Sequence, residues 1–551
     1  MPFCKRKTED FRNDSKKIFF AYHSFFHRGA RACSARAPRF FINFKLGVEM
    51  RGISLYNKIM KRYIIALDEG TTSTRAVLYD VKEKKIARIF SRPIRQIYPA
   101  PGYVEESAGE IWAETLSVLA EALESVFDLS EVAGIGVANQ RETAVMWNRK
   151  TGRPIANAIV WQCRRTADYC ASLKEEYSDW IYEKTGLIPD AYFSATKFRW
   201  LLENVPEAKR LAEEGNLCAG TLDAFLIYKL TDGKSFVTDA TNASRTMLFN
   251  IRKGTWDEEL LRFFSVPEDA LPRVVSCTEV VGEFEYERSK IPVCGIAGDQ
   301  QAALFGQCCF EEGSVKITYG TGMFMLYNIG KKLPPENGLA LTTVAYKLGG
   351  ETTYALEGSV FNAGSAVQWL RDELGLMSKA EHSERMARKV KDNGGVYIVP
   401  AFTGLGAPYW ASEARGIITG ITRGFNKNHL ARAVLEAMAY SAKDLSVVME
   451  KISGFSPKVI RADGGASKND FLMQFQSDVL GVCVDRPADA ESTALGAAYL
   501  CALGLGIFTM DEIGGLRKTE KLFSPSPDRE VYEKLYAGWN RAVKQCLYNG
   551  G

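Results

Sequence analysis

The chain is poor in the residues that build metal centres and membrane spans. Only four histidines occur in 551 residues, and two of them, His23 and His27, have no neighbouring cysteine or third ligand. That spacing gives no metal site. Twelve cysteines are present without a single C-x-x-C pair, and Cys308 and Cys309 are simply adjacent. The pattern is that of reduced, mostly buried thiols in a cytoplasmic protein. No apolar run reaches bilayer length: the Ala/Gly-rich stretch Ala494–Phe508 has 15 residues, which suits a tightly packed interior helix better than a span. A basic excess is also missing from most of the chain. The net charge is +4, but residues 1–59 hold 13 Lys/Arg against 4 Asp/Glu, leaving the body with 57 against 62. A mildly acidic body gives no footing for nucleic acid.

Residues 1–59 lack any sustained helical or strand period and any apolar core of signal-peptide length. Glu9, Asp10 and Asp14 argue against a transit peptide. The stretch is expected to be disordered or to be upstream translation of the gene model, with Met60 a natural start three residues before the first strand. Deleting everything before Met60 is expected to leave stability and activity unchanged.

What the sequence does have is a pair of matching turns. Tyr63–Leu67 is an apolar run ending in Asp68; Gly70, Thr71, Thr72 and Ser73 follow, then Arg75 and a second apolar run, Ala76–Tyr79. This predicts a buried strand, a tight turn and an antiparallel return. A glycine-relieved turn rich in hydroxyls can aim N–H and O–H groups at phosphate oxygens without a Walker motif, although a hairpin with a polar turn fits the same residues. Ser314–Tyr327 repeats the design around Gly320-Thr321-Gly322, 250 residues after Gly70. Two such hairpins, each opening one half, predict a duplicated α/β domain with a nucleotide in the cleft between the halves. A third glycine turn, Ile460–Asn469, suits the adenosine side. Between these lie a predicted helix at Gly109–Val126 and a buried strand at Val132–Ala138 that ends in Asn139-Gln140-Arg141-Glu142-Thr143. Two aromatic, loop-like stretches follow, at 158–165 and 185–197. Next comes a strand–turn–helix over 292–306 with its turn at Gly298-Asp299, and later a helix over Leu430–Met449.

The set DEGTTSTR (68–75), NQRET (139–143), WQCRR (161–165), GIAGDQQAALFGQ (295–307) and PAFTGLGAPYW (400–410) resembles the FGGY sugar kinases of the actin-like ATPase superfamily. With TNASRTMLFN (241–250) added, it resembles the glycerol kinases among them. The resemblance spans Tyr63 to about Trp539. It implies two actin-like (ribonuclease H-like) α/β domains, an N-terminal one over 60–308 for glycerol and phosphate and a C-terminal one over 309–551 for adenine nucleotide. The active site is in the cleft between them. The implied reaction is ATP-dependent phosphorylation of glycerol to sn-glycerol 3-phosphate, with Mg²⁺, in a cytoplasmic homodimer or homotetramer.

Residue by residue, the resemblance implies that Asp299 is the general base. It assigns the polyol to Arg141, Glu142, Tyr192 and Asp299, with Trp161 and Phe324 covering its carbon backbone; Gln300, which can donate or accept, suits the same polyol by its chemistry. Thr71, Thr72, Ser73 and Arg75 form one phosphate set and Gly320 and Thr321 the other. Gly364, Gln368, Gly465 and Asn469 lie near ribose and adenine. Asp68, at a strand end, is placed to hold Mg²⁺ through water. The residues alone leave alternatives open. Asp299 also fits a helix cap before Gln300, Arg141–Glu142 also fits a surface pair, and Trp161 also fits a core residue. Gly364 and Gly465 also fit turn or close-packing glycines. A kinase for another polyol or a ketose such as xylulose, or an actin-like ATPase without a sugar substrate, would share part of the set. Three features depart from the family pattern. Glu69 stands where many relatives have Gln and adds a charge near phosphate. Residues 283–292 are shorter than a known bisphosphate-binding loop, and GASKND replaces GAxxNN.

Overall fold

The computed structural model describes residues 61–334 and 339–548. The expectations for residues 1–59 and for a start at Met60 lie outside the described residues.

Both predicted hairpins form. The first half carries β1 (Tyr63–Glu69), β2 (Ser73–Asp80) and β3 (Lys85–Pro93) as an antiparallel meander. Helix α1 (Ala108–Glu124) leads to β4 (Val132–Asn139), which lies parallel to β1. Two more strands, β5 (Gly282–Tyr286) and β6 (Ser289–Gly298), complete the sheet in the order β3-β2-β1-β4-β6-β5. β6 is parallel to β4, and β5 is an antiparallel edge strand. Nearly every position of β1 and β4 is buried, as expected for strands covered on both faces. Ser107 starts α1 by accepting the Glu110 N–H, a serine cap of the usual kind.

The second half repeats this plan. After α2 (Asp299–Gly306) come β7 (Val315–Tyr319) and β8 (Met323–Gly330) as the second hairpin, then β9 (Leu341–Leu348) and β10 (Glu351–Val360). Helices α3 (Gly364–Asp372) and α4 (Lys427–Ser453) precede β11 (Val459–Gly464). Helix α5 (Asp470–Leu480), β12 (Cys483–Pro487), α6 (Ser492–Gly504) and β13 (Thr519–Phe523) follow and complete the second half's sheet, and a last helix runs over Arg529–Tyr548. The sheet order is β9-β10-β8-β7-β11-β12-β13. The meander β10-β8-β7 continues into parallel β11 and β12, and antiparallel β13 closes the far edge. β7, β8, β10, β11, β12 and β13 therefore retrace β1, β2, β3, β4, β6 and β5, with β9 added outside the meander. The two halves are a duplication, as the matching turns predict.

The halves are joined by helices that cross between them. α6, from the second half, packs on the first sheet: a Cβ at Gly136 of β4 would meet the Ala497 carbonyl at 2.6 Å. α6 also crosses α2 so closely that a Cβ at Gly496 would lie 1.8 Å from the Ala302 carbonyl oxygen. Only glycine permits that approach. The apolar stretch Ala494–Phe508 is thus interior helix as far as Gly504, as its small residues suggest, and Leu505–Phe508 turn out of it. No helix among the described residues is long and apolar enough to cross a membrane.

The 185–197 stretch, read as a loop, turns helical at its end: Ser194–Asn204 is a helix with its first residues buried. Lys197 explains the difference. A lone lysine in a short segment gives no helical period, yet its ammonium is buried and donates to the Glu142 and Tyr192 carbonyls at 3.0 and 2.6 Å. Burial lowers its pKa to about 8.

Candidate active site

The first turn is closed by Gly70 N–H donating to the Ser73 carbonyl at 3.0 Å, and the second by Gly320 N–H donating to Gly322 at 2.8 Å. Register places Asp68 opposite Arg75 across β1 and β2. Arg75 Nη2 lies 2.8 Å from Asp68 Oδ2, and Nη1 donates to Glu491 of the second half at 2.5 Å. Asp68 is buried, and its Oδ2 has no aligned hydrogen-bond donor. Burial raises its pKa to about 6 against the pull of Arg75, with Glu491 and Asp299 adding repulsion. A buried carboxylate at the first phosphate-type turn, with Oδ2 held by an ion pair to Arg75 and no aligned hydrogen bond, is the kind of group that fits a hydrated Mg²⁺.

Glu69 corrects an expectation. Strand alternation turns it away from Asp68. Its carboxyl accepts the Thr115 hydroxyl of α1 at 2.9 Å on the far side of the sheet. Burial pushes its pKa to about 8, so it is largely protonated at neutral pH and adds no charge to the phosphate turn. Glu69→Gln is expected to leave the KM for ATP within about twofold of the parent, measured by steady-state kinetics; a clear fall in KM would put the Glu69 charge back beside the phosphates.

The segment after β4 explains how adjacent side chains share one cleft. Glu142 has a φ of 60°, a left-handed conformation that glycine adopts far more readily. The reversal lets Arg141 and Glu142 both turn inward, and both are buried. Arg141 Nη2 donates to the Tyr192 hydroxyl at 3.2 Å, and its Nε lies 3.2 Å from Asp299 Oδ1. Trp161 stands edge-on to both Tyr192 and Phe324, at centroid distances of 5.8 and 6.1 Å. Its indole N–H donates to Thr71 of the first turn at 3.0 Å, which ties the aromatic wall to the phosphate side. Trp161 is therefore neither plain core nor isolated.

Asp299 opens α2 directly from β6. Gly298 holds the cap position; Asp299 Oδ1 accepts the Gln300 N–H at 2.7 Å. The structure thus brings together Arg141, Glu142, Trp161, Tyr192, Asp299, Gln300 and Phe324, from both halves.

On the other side, Gly364 starts α3 against the second turn, and a Cβ there would lie 2.4 Å from the Gly320 carbonyl oxygen. The close-packing reading of Gly364 describes that contact, with Ser365 N–H bonding Thr321 O at 3.1 Å. Gly465 faces open space. Gln368 is exposed on α3. Asn469 caps α5, its Oδ1 accepting the Leu472 N–H at 3.0 Å and its Nδ2 donating to Ser383 at 3.3 Å. Its side chain is therefore already engaged.

Four buried groups escaped the sequence reading. Arg245 donates to Glu142 at 2.7 Å and to Glu357 at 2.8 Å. Glu357 also receives Arg141. Lys316 donates to Gln300 and, at 2.7 Å, to Thr318. Gln301 bridges Arg141 to the Val344 carbonyl at 3.2 Å. The available signal for Lys316 and Glu357 was a lone charge inside an apolar strand, in SVKITY and TYALEGSV; Arg245 and Gln301 carried none.

Two like halves that each present a turn to a shared cleft form the framework of an actin-like phosphotransferase. Residues 63–306 match the N-terminal domain of the FGGY family of carbohydrate kinases and residues 315–505 match its C-terminal domain. The chain belongs to that family. It is 54% identical to a glycerol kinase of Treponema denticola over 495 residues, covering 89% of this chain and 99% of that one. It is 52% identical to glycerol kinase 2 of Sulfolobus acidocaldarius, covering 88% and 98%. The solved glycerol kinase of Plasmodium falciparum with ADP superposes with a TM-score of 0.82 at 35% identity, covering 88% and 98%. A xylulose kinase of Lactobacillus acidophilus, at 24% identity and TM-score 0.79, shares the fold.

Proposed function

We propose that the chain is an ATP:glycerol 3-phosphotransferase, making sn-glycerol 3-phosphate. The observation that carries this reading is the buried polar cluster where Arg141 meets Tyr192, Asp299 and Glu142, next to the edge-on contact of Trp161 with Phe324. A triol needs donors and acceptors on neighbouring oxygens, which Arg141, Glu142 and Gln300 supply. The close Trp161–Phe324 contact favours a three-carbon polyol, since a pentulose needs more room. Near-full-length relatives named glycerol kinase support the same substrate.

Asp299 accepts the proton of the attacking primary hydroxyl. Thr71, Thr72, Ser73, Gly320 and Thr321 hold phosphate oxygens through the two turns, and Arg75 faces the leaving phosphate. Gly364, Gln368, Gly465 and Asn469 border the nucleoside. Asp68 would hold Mg²⁺ through water, and the ion, when bound, supplies neutralisation of the phosphate charge. Residues 60–308 serve glycerol and phosphate and residues 309–551 the adenine nucleotide. Ten cysteines among the described residues are free thiols, which suits a cytoplasmic setting. A homodimer or homotetramer is the assembly expected.

The deciding experiment is ADP release with and without glycerol, followed by a panel of polyols and ketoses. Release is expected to depend on glycerol. A five-carbon sugar preferred over glycerol would overturn the substrate. Glycerol-independent release at the same rate would return the chain to an actin-like ATPase.

A further inference from the structure

Glu357 stands in the middle of β10, in a run where Ala355 and Leu356 are buried and apolar. A carboxylate taken out of water there needs cations to offset its desolvation. Both cations come from the other half of the chain. Glu357 Oε1 accepts from Arg141 Nη2 at 3.0 Å and from Arg245 Nη2 at 2.8 Å, while Oε2 accepts from Arg141 Nη1. All three side chains are at most 2% exposed.

A guanidinium has five N–H donors in a rigid plane. Those of Arg141 meet Glu357 twice, Tyr192, Gln301 and Asp299. The last three contacts are each 3.2 Å long. A bidentate arginine–carboxylate pair fixes the plane of the ring as well as its position. Arg245 is bound on its other edge to Glu142, so the same carboxylate reaches the second polar residue of the pocket through Arg245.

We propose that Glu357 is a positioning residue for polyol recognition, reaching across the cleft to set the plane of Arg141 and, through Arg245, the carboxylate of Glu142. The inference rests on Arg141 and Glu142 being glycerol ligands. A glycerol hydroxyl arriving at Arg141 exchanges with one of the 3.2 Å partners, while the two bonds to Glu357 persist. The polyol site is then built by both halves, although every side chain that touches the polyol's oxygens comes from the first. Despite burial, which alone would raise it, the two guanidiniums hold the Glu357 carboxyl down to about 2, so it stays charged throughout the working pH range.

The test compares the parent with Glu357→Gln and Glu357→Asp in the full chain, by steady-state kinetics with glycerol and ATP varied separately. Glu357→Gln keeps the shape and removes the charge. Its glycerol KM is expected to rise about tenfold or more, with the ATP KM within about twofold and kcat changed far less than the glycerol KM. Glu357→Asp keeps the charge on a shorter arm and is expected to fall between the two. A glycerol KM within about twofold of the parent in a folded Glu357→Gln protein overturns the proposal. So does a parallel change in both KM values and kcat, which marks a structural role. Should neither variant fold by circular dichroism and gel filtration, the residue is structural and the proposal also fails. A parent that shows no glycerol-dependent ADP release would instead remove the reading on which this rests.

Discussion

Asp299→Asn is expected to lower kcat by about 10²–10⁴ while the protein stays folded. The carboxylate sits at the first position of α2, 29% exposed toward the cleft, with Arg141 3.2 Å from Oδ1. Gly298 occupies the cap position, and the bond from the Gln300 N–H to Oδ1 is local. An asparagine oxygen can accept that N–H equally well, so the helix start survives. The loss is a proton acceptor for the attacking hydroxyl. The glycerol KM should rise less than kcat falls, because an amide still hydrogen-bonds a hydroxyl. Steady-state kinetics and a thermal melt separate these outcomes. Near-full turnover would mean that Asp299 serves only the start of α2 and that the base lies elsewhere in the cleft.

The framework around Asp299 was legible because it is written in local patterns. An apolar run, a glycine turn and a second apolar run specify a hairpin from a dozen residues, and its repetition specifies the duplication. The crossing of α2 and α6 was legible only in part. Small residues marked α6 as tightly packed, but that it covers the first sheet is a fact about contacts far apart in sequence. The ion cluster behind the site was hidden for the same reason. Arg141 meets Glu357 across 216 positions and Arg245 meets Glu142 across 103, and no periodicity carries that pairing. Glu69 misled because position along a chain does not give direction. One residue past Asp68, alternation sends its carboxyl to the opposite face, where Thr115 receives it. Asn469 shows how one amide can fit two readings: beside the nucleoside role the resemblance implies, its Oδ1 caps α5 and its Nδ2 donates to Ser383.

The distribution of those buried charges sets the outcome for Arg141→Ala, in which kcat should fall far less than the glycerol KM rises. Its guanidinium donates to bound substrate and transition state alike, so its removal is a loss of uniform binding. Each charge-assisted hydrogen bond lost contributes about 1.5–3 kcal/mol, which corresponds to about ten- to hundredfold in KM. Stability must fall as well. Breaking a buried ion pair by removing one partner typically costs about 3–5 kcal/mol. Here Arg245 remains bound to both Glu142 and Glu357, so the loss should sit at or below the lower end of that range. The expected protein is therefore folded, with a lower melting temperature, a glycerol KM raised by at least about an order of magnitude and an ATP KM near that of the parent. Kinetics on both substrates and a melt with and without glycerol check this. An Arg141→Ala protein whose glycerol KM is unchanged while its melting temperature falls would make Arg141 a strut between the halves. Glycerol recognition would then have to be sought among Glu142, Tyr192 and Gln300.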